Sequence, residues 1–531
     1  MESEVGLIHG GSVRRHRVCD AIPGRLAAGQ RTLNPSTEVR SLPREPAVTR
    51  LKPVRPPIVI ILAAGEGTRM KSSTPKVLHE IAGRSLLGHV IEAAATIEPE
   101  HLVVVVGHGG ESVNAHLEEV APWVITVEQT ERNGTGHAVR IALEFLVERG
   151  VEIGESPVVV LTGDTPLLTG ASLINMLKQH VEAGAQASVL TTEFDNPFGY
   201  GRIIRSGNQV VGIVEEKDAT PQQREIREIN SGMYSFGGAS LQEAITGLNR
   251  NNSQGEEYLT DVIAILTSRG ETVIGVTAQD SSDILGINDR AQLSCAAAIM
   301  RDRINANWMK AGVTMLDPAS TWIDVDAELA PDVTLLPQTI LRGPTSIESG
   351  AEVGPGTTLI SAEVGANATV RHTWAELVVI GAGANVGPYT YLRPGTVIGD
   401  SGKAGAFVEI KNSQLGDGSK VPHLSYVGDA TIGSGTNIGA GTIFVNYDGV
   451  EKNHTTVGDQ VRVGSDNMLI APIVIGDGAY TAAGSVITED VPAGSMAVAR
   501  AKQRNILDWV FRKRPGTGSA QAAQRATQSD K

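Results

Sequence analysis

Ile58-Val59-Ile60-Ile61-Leu62-Ala63-Ala64-Gly65-Glu66-Gly67-Thr68-Arg69-Met70, followed by Thr74-Pro75-Lys76-Val77-Leu78, is the stretch on which the reading of this chain turns. A β-branched apolar run ends in a glycine turn, then a loop rich in hydroxyl and basic groups, then a lysine heading a helix-like segment. Exposed backbone N–H groups, Arg69 and Lys76 together suit anionic oxygens such as those of a nucleoside triphosphate. The spacing is not that of a Walker loop, G-x-x-x-x-G-K-[ST], nor of the G-x-G-x-x-G dinucleotide turn. A glycine pair alone also fits an ordinary strand-to-helix turn. The full string L-A-A-G-x-G-T-R-M-x-S-x-x-P-K is far more selective.

Outward from this motif, apolar runs alternate with helical patterns as far as about residue 290. The runs are Ile58–Leu62, His101–Val106, Trp123–Val127, Val158–Leu161 and Ser188–Thr191; His89–Thr96, Thr135–Val147 and Leu173–Glu182 read as helices. This predicts a Rossmann-like α/β domain over 57–287, with a mixed, mostly parallel sheet and ligands beyond the carboxyl ends of its strands. Residues 288–311 read as a linker helix. After Gly312 the period changes to six: Ile380, Val386, Leu392 and Ile398, then Leu415, Val421 and Val427, then Val463, Leu469 and Ile475. A six-residue aliphatic repeat predicts a left-handed parallel β-helix of hexapeptide repeats over 312–510, each corner burying one aliphatic side chain. The step from Val427 to Ile432 and the stretch Asn446–His454 break the period, and breaks in solenoids map to loops that often bind ligands.

A length of 531 residues calls for two or three domains. The net charge of −14 argues against a general nucleic-acid binder, which would carry a basic face. Cys19 and Cys295 are the only cysteines, so neither a disulfide framework nor a cysteine zinc site is expected, and a reducing cytoplasm suits the chain. No apolar run is long enough for a membrane span. Residues 1–56 are arginine-rich and proline-dotted; a targeting peptide, a disordered arm and an extension from an upstream start all fit, and the acidic residues and missing apolar core favour the latter two. Residues 511–531 read as a disordered tail.

Gln129 and Gly134-Thr135-Gly136-His137-Ala138 place an amide, a glycine loop and a hydroxyl at a helix start, which suits either base recognition or a plain N-cap at Thr135. Asp164, after the Val158–Leu161 run, is a turn residue or, beside a triphosphate, a ligand for Mg²⁺. With Asn196–Ile203, Ile213–Ala219, Glu228–Gly232 and Gly286-Ile287-Asn288, these motifs resemble, in order, sugar-nucleotide pyrophosphorylases that act on N-acetylglucosamine 1-phosphate and UTP. The resemblance implies that Leu62, Ala63, Ala64, Gly65 and Lys76 bind the nucleotide. It places Gln129, Gly134 and Thr135 on the uracil, Gly201, Glu215 and Asn230 on the sugar, and Asp164 with Asn288 on Mg²⁺. Lys76 and Arg69 then neutralise charge in the transferring group.

The repeat region is either a passive scaffold or a second active site. Arg393, Lys411, His423, Tyr426 and Asn446 cluster at its breaks and favour the second reading. The set resembles the acetyltransferase half of bifunctional N-acetylglucosamine-1-phosphate uridyltransferases / glucosamine-1-phosphate acetyltransferases, which supply a cell-wall precursor. By that resemblance His423 is the general base, Arg393 and Lys411 pair with the phosphate of glucosamine 1-phosphate, and Tyr426 and Asn437 hold the sugar. Asn446, Tyr447, Ser465, Ala483 and Arg500 match positions that contact acetyl-CoA, and the Ser465 hydroxyl is able to donate to the thioester oxyanion. A homotrimer is expected, because flat-sided solenoids packed side by side create clefts that one chain lacks. Related hexapeptide acyltransferases are built in this way. The open alternatives are a monofunctional pyrophosphorylase with a regulatory or oligomerising β-helix, and a noncatalytic binding solenoid.

Overall fold

The protein is described here by a computed structural model covering residues 55–107 and 110–529. Apart from Arg55 and Pro56, the expected extension 1–56 lies outside the described residues, as does Cys19. Two compact units divide at Pro388/Tyr389.

In the first unit, the strand Ile58–Ala63 is central because its side chains are buried on both faces. It pairs in parallel with His101–Gly107 and Pro157–Thr162, and His101–Gly107 pairs in parallel with Ile125–Gln129. Trp123, read as the start of that last strand, precedes it and is exposed. Glu228–Gly237 runs antiparallel between Pro157–Thr162 and Ala187–Glu193, which completes a mixed sheet with Val273–Thr277. The expected linker helix is Arg290–Lys310, started by the Asp289 side chain accepting from Gln292 N. Three stacks of short parallel strands follow as far as Pro388. The first of their coils is tied to the Glu80–Ser85 hairpin, where Val325 N donates to Ala82 O and Arg84 pairs with Asp326.

In the second unit, short strands again stack in parallel with one chain pass per layer: Glu409–Lys411 on Tyr426–Gly428, Lys420–His423 on Asn437–Ile438, Gln414–Leu415 on Ala430–Ile432. Leu392, Ile398, Leu415, Val421, Val427, Val463, Leu469 and Ile475 are all buried, as the period requires. These side chains sit on the strands and not at the corners. Several corners carry left-handed residues instead, among them Tyr389, Phe407, Leu424, Asp429 and Asp466. The stretch read as a tail begins inside helix Trp509–Lys513 and contains helix Gly518–Ser529; alanine and glutamine dominate the second and are good helix formers.

Candidate active sites

Beyond the carboxyl end of Ile58–Ala63, Leu62, Ala63, Ala64, Gly65, Lys76, Gln129, Gly134, Thr135 and Asp164 line one open cavity of about 310 Å³. Gly67 lets the loop fold onto Lys76: its φ is 62°, and a Cβ there would meet Lys76 Cβ at 2.5 Å. The Lys76 ammonium pairs with Asp164 and lies 3.3 Å from Asn288 Oδ1, which also accepts from Arg69 at 2.8 Å. Two pairs from the sequence reading, Arg69 with Lys76 and Asp164 with Asn288, therefore form one network. Asp164 and Asn288 present hard oxygens to the same ammonium, so both reach one point. That donor set suits a hard cation such as Mg²⁺. No group of three or more His, Cys, Asp and Glu suited to a metal occurs among the described residues.

The Gly134–Ala138 segment is built differently from a simple cap. The helix starts at Thr135, but its N-cap is Gly134, with φ 106° and no side-chain cap. Thr135 Oγ1 instead accepts from Leu259 N, and Gln129 Nε2 donates to Gly134 O at 3.1 Å. Gly201, Glu215 and Asn230 also converge: a Cβ on Gly201 would stand 3.5 Å from both the Glu215 carboxylate and Asn230 Cβ. Burial pushes the Glu215 carboxyl up, against a hydrogen bond from Thr260. Arg132, missed from sequence, lines the same cavity and pairs with Glu66.

On the coils of the second unit, one edge carries the cations. Arg393 pairs with Glu409 at 3.0 Å, and Lys411 pairs with Asp429 at 3.1 Å. Asp429 also accepts from Asn412 and Asn446, and Asn446 Nδ2 lies 3.4 Å from Tyr426 Oη. The break at Asn446–His454 is a small hairpin closed by a Tyr447–Lys452 bridge. It brings Lys452 against Lys411, whose neighbouring ammonium lowers the Lys452 pKa. Lys452 and Asp429 were missed because only the returning coils make them neighbours of Lys411.

His423 lies on a different corner. Its carbonyl accepts from Gly441 N, Ala440 O accepts from Asp466 N, and Ser465 O accepts from Gly484 N. His423, Ala440, Ser465 and Ala483 thus stand successively on one corner, with Arg500 Cδ 4.0 Å from the Cβ position of Gly484. Ser465, Ala483 and Arg500 are brought together. Asn446 and Tyr447 are not with them, since they lie on the cation edge. Asn437 sits on the strand leading into the His423 corner, and Tyr426 on the strand between the two edges.

A model of the MobA-like NTP transferase domain matches residues 59–228. Curated relatives match over most of both chains. The bifunctional protein GlmU of Streptomyces avermitilis is 56% identical over 89% of this chain and 98% of its own length. That of Mycobacterium bovis is 51% identical over 88% and 95%. The chain belongs to the GlmU family. The two GlmU relatives align over nearly their whole length and over about nine-tenths of this chain.

Proposed function

We infer that the chain is a bifunctional enzyme of UDP-N-acetylglucosamine synthesis. It transfers acetyl from acetyl-CoA to glucosamine 1-phosphate, then uridylyl from UTP to N-acetylglucosamine 1-phosphate. The observation that carries the first step is a triad of cations, Arg393, Lys411 and Lys452, across the Tyr426 strand from the His423 corner.

In acetyl transfer, Arg393, Lys411 and Lys452 hold the sugar phosphate, while Tyr426 and Asn437 hold the ring. His423 takes the proton as the amine nitrogen attacks the thioester carbonyl; the C–S bond breaks and coenzyme A leaves as the thiol. Imidazole is the side chain most often used as a general base near neutral pH. Ser465, Ala483 and Arg500 line the corner for acetyl-CoA.

In uridylyl transfer, a phosphate oxygen of the sugar attacks the α-phosphorus of UTP and the bond to pyrophosphate breaks. The nucleophile is already anionic, so no base is required, and positioning with charge neutralisation supplies the acceleration. Arg69 and Lys76 provide positive charge, Gln129 and the Gly134–Thr135 loop face the uracil, and Gly201, Glu215 and Asn230 face the sugar. Mg²⁺, held by Asp164 and Asn288, adds neutralisation of the triphosphate when bound.

The domain limits 57–287 and 312–510 remain our division of these tasks. We also propose a homotrimer. Tyr389, Phe407 and Leu424 are each about three-fifths exposed, and the first two rings stack at 5.3 Å; such an apolar ladder suits contact between coils of neighbouring chains. Among the described residues no helix is long and apolar enough to cross a membrane, and we place the protein in the cytoplasm. Assaying each substrate pair separately tests the function. Pyrophosphate release without thiol release would leave only a pyrophosphorylase. Light scattering across a dilution series tests assembly, and a monomer with full acetyl transfer refutes it.

A further inference from the structure

The Gly134–Gly136 loop is splinted from outside by residues 256–259. Gly136 N donates to Glu257 O at 2.8 Å, Glu257 N donates to Asn133 O at 2.7 Å, and Leu259 N donates to Thr135 Oγ1 at 3.1 Å. The contact is close enough to exclude any side chain at Gly134, whose Cβ would stand 2.4 Å from Glu257 O. Glu257 is only 8% exposed. Arg140 reaches both carboxylate oxygens, at 3.2 and 2.9 Å, and Arg250 reaches one at 3.1 Å. Arg140 belongs to the same helix that Gly134 caps. One carboxylate therefore ties the helix, the 250–259 segment and the loop that Gln129 grips from the other side.

We propose that Glu257 is a positioning residue for nucleotide recognition: its anchored carboxylate fixes the main chain that holds Gly134 and Thr135 against the base. The proposal rests on reading this cavity as the UTP site. Glu257 touches no substrate, so its effect should fall on binding and base choice and not on the chemical step. A buried carboxylate held by two guanidiniums is among the stronger polar anchors a loop can have. Removing it leaves Arg140 without its main partner and lets the segment shift.

The test uses the full chain and steady-state uridylyl transfer, with acetyl transfer and thermal melting as controls of folding. Glu257→Ala should raise the KM for UTP about tenfold while kcat changes less than about threefold, and should narrow the preference for UTP over CTP several-fold. Glu257→Gln, which keeps an acceptor, should fall between it and wild type. Combining Glu257→Ala with Arg140→Ala should cost less than the two single effects together, because both remove one contact. Should Glu257→Ala fail to fold, Arg250→Gln removes one arm of the anchor and should move UTP KM in the same direction. An unchanged KM in a folded variant, or a loss confined to kcat, overturns the proposal while the site assignment stands. A wild-type chain that does not turn over UTP overturns both.

Discussion

Asp429 holds Lys411 by both carboxylate oxygens, 3.1 and 3.2 Å from the ammonium, and Asn412 and Asn446 donate to the same carboxylate. Burial pushes the Asp429 carboxyl up, but the hydrogen bonds from Asn412, Asn446 and Lys411 outweigh it and leave its pKa lowered. A depressed carboxyl pKa stabilises the fold above the unfolded value of about 3.9, and the gain is lost as pH falls through the lower folded value. Melting temperatures taken down to strongly acid pH should therefore fall less steeply in Asp429→Asn than in wild type. Parallel curves would remove Asp429 from the acid response.

The same pair bears on affinity. Without Asp429 the Lys411 ammonium loses its fixed position, and Asp429→Ala should raise the KM for glucosamine 1-phosphate by about tenfold or more. Uridylyl transfer by the same protein should be unchanged. A lowered KM would mean that the carboxylate competes with phosphate more than it orients the lysine.

His423→Ala should reduce acetyl transfer by at least about a hundredfold, the usual worth of a general base, and leave uridylyl transfer intact. Thiol release and pyrophosphate release measured on one preparation decide it. Loss of both in a folded protein would contradict separate sites.

Asp164→Ala should do the reverse. Its carboxylate is the only acid of the Arg69–Lys76–Asp164–Asn288 network, and only uridylyl transfer has a triphosphate to neutralise. Activity should fall by at least about a hundredfold, with acetyl transfer spared. Uridylyl transfer that survives a chelator would sink the metal assignment.

Gly134→Ala tests the loop directly. The added methyl would have to displace the Glu257 main chain, and positive φ adds strain. Uridylyl transfer should drop about tenfold or more through KM for UTP, with acetyl transfer at the wild-type rate.

Much of this was legible because local patterns fix local chemistry. Arg69, Lys76 and the glycine turn adjoin in sequence, and the six-residue period announces stacked coils without help from distant residues. What escaped depends on returns of the chain. Glu228–Gly237 is rich in polar residues and glycine, and nothing in it declares an antiparallel place inside the sheet. Glu257 looks like one acid among several in a polar stretch until Arg140 and Arg250 close on it. Lys452 sat in an apparent irregularity, yet that irregularity is an ordered hairpin with Asp448 accepting from Val450 N and Glu451 N. Which edge of the coils carries Asn446 and which carries Ser465 likewise depends on how the chain returns.

The corner shared by Ala406, His423, Ala440 and Ser465 makes spacing, more than identity, the quantity that a lineage must keep. Deleting one residue from a coil between them would rotate every later position by one place, turning Ser465 off its edge and a buried aliphatic out toward water: a frameshift in space with no change of reading frame. The Asn446–His454 hairpin is exempt, because it is looped out between the strands Ile443–Val445 and Thr455–Val457. Insertions should accumulate there, limited by the need for Asn446 to meet Asp429 and for Lys452 to arrive beside Lys411.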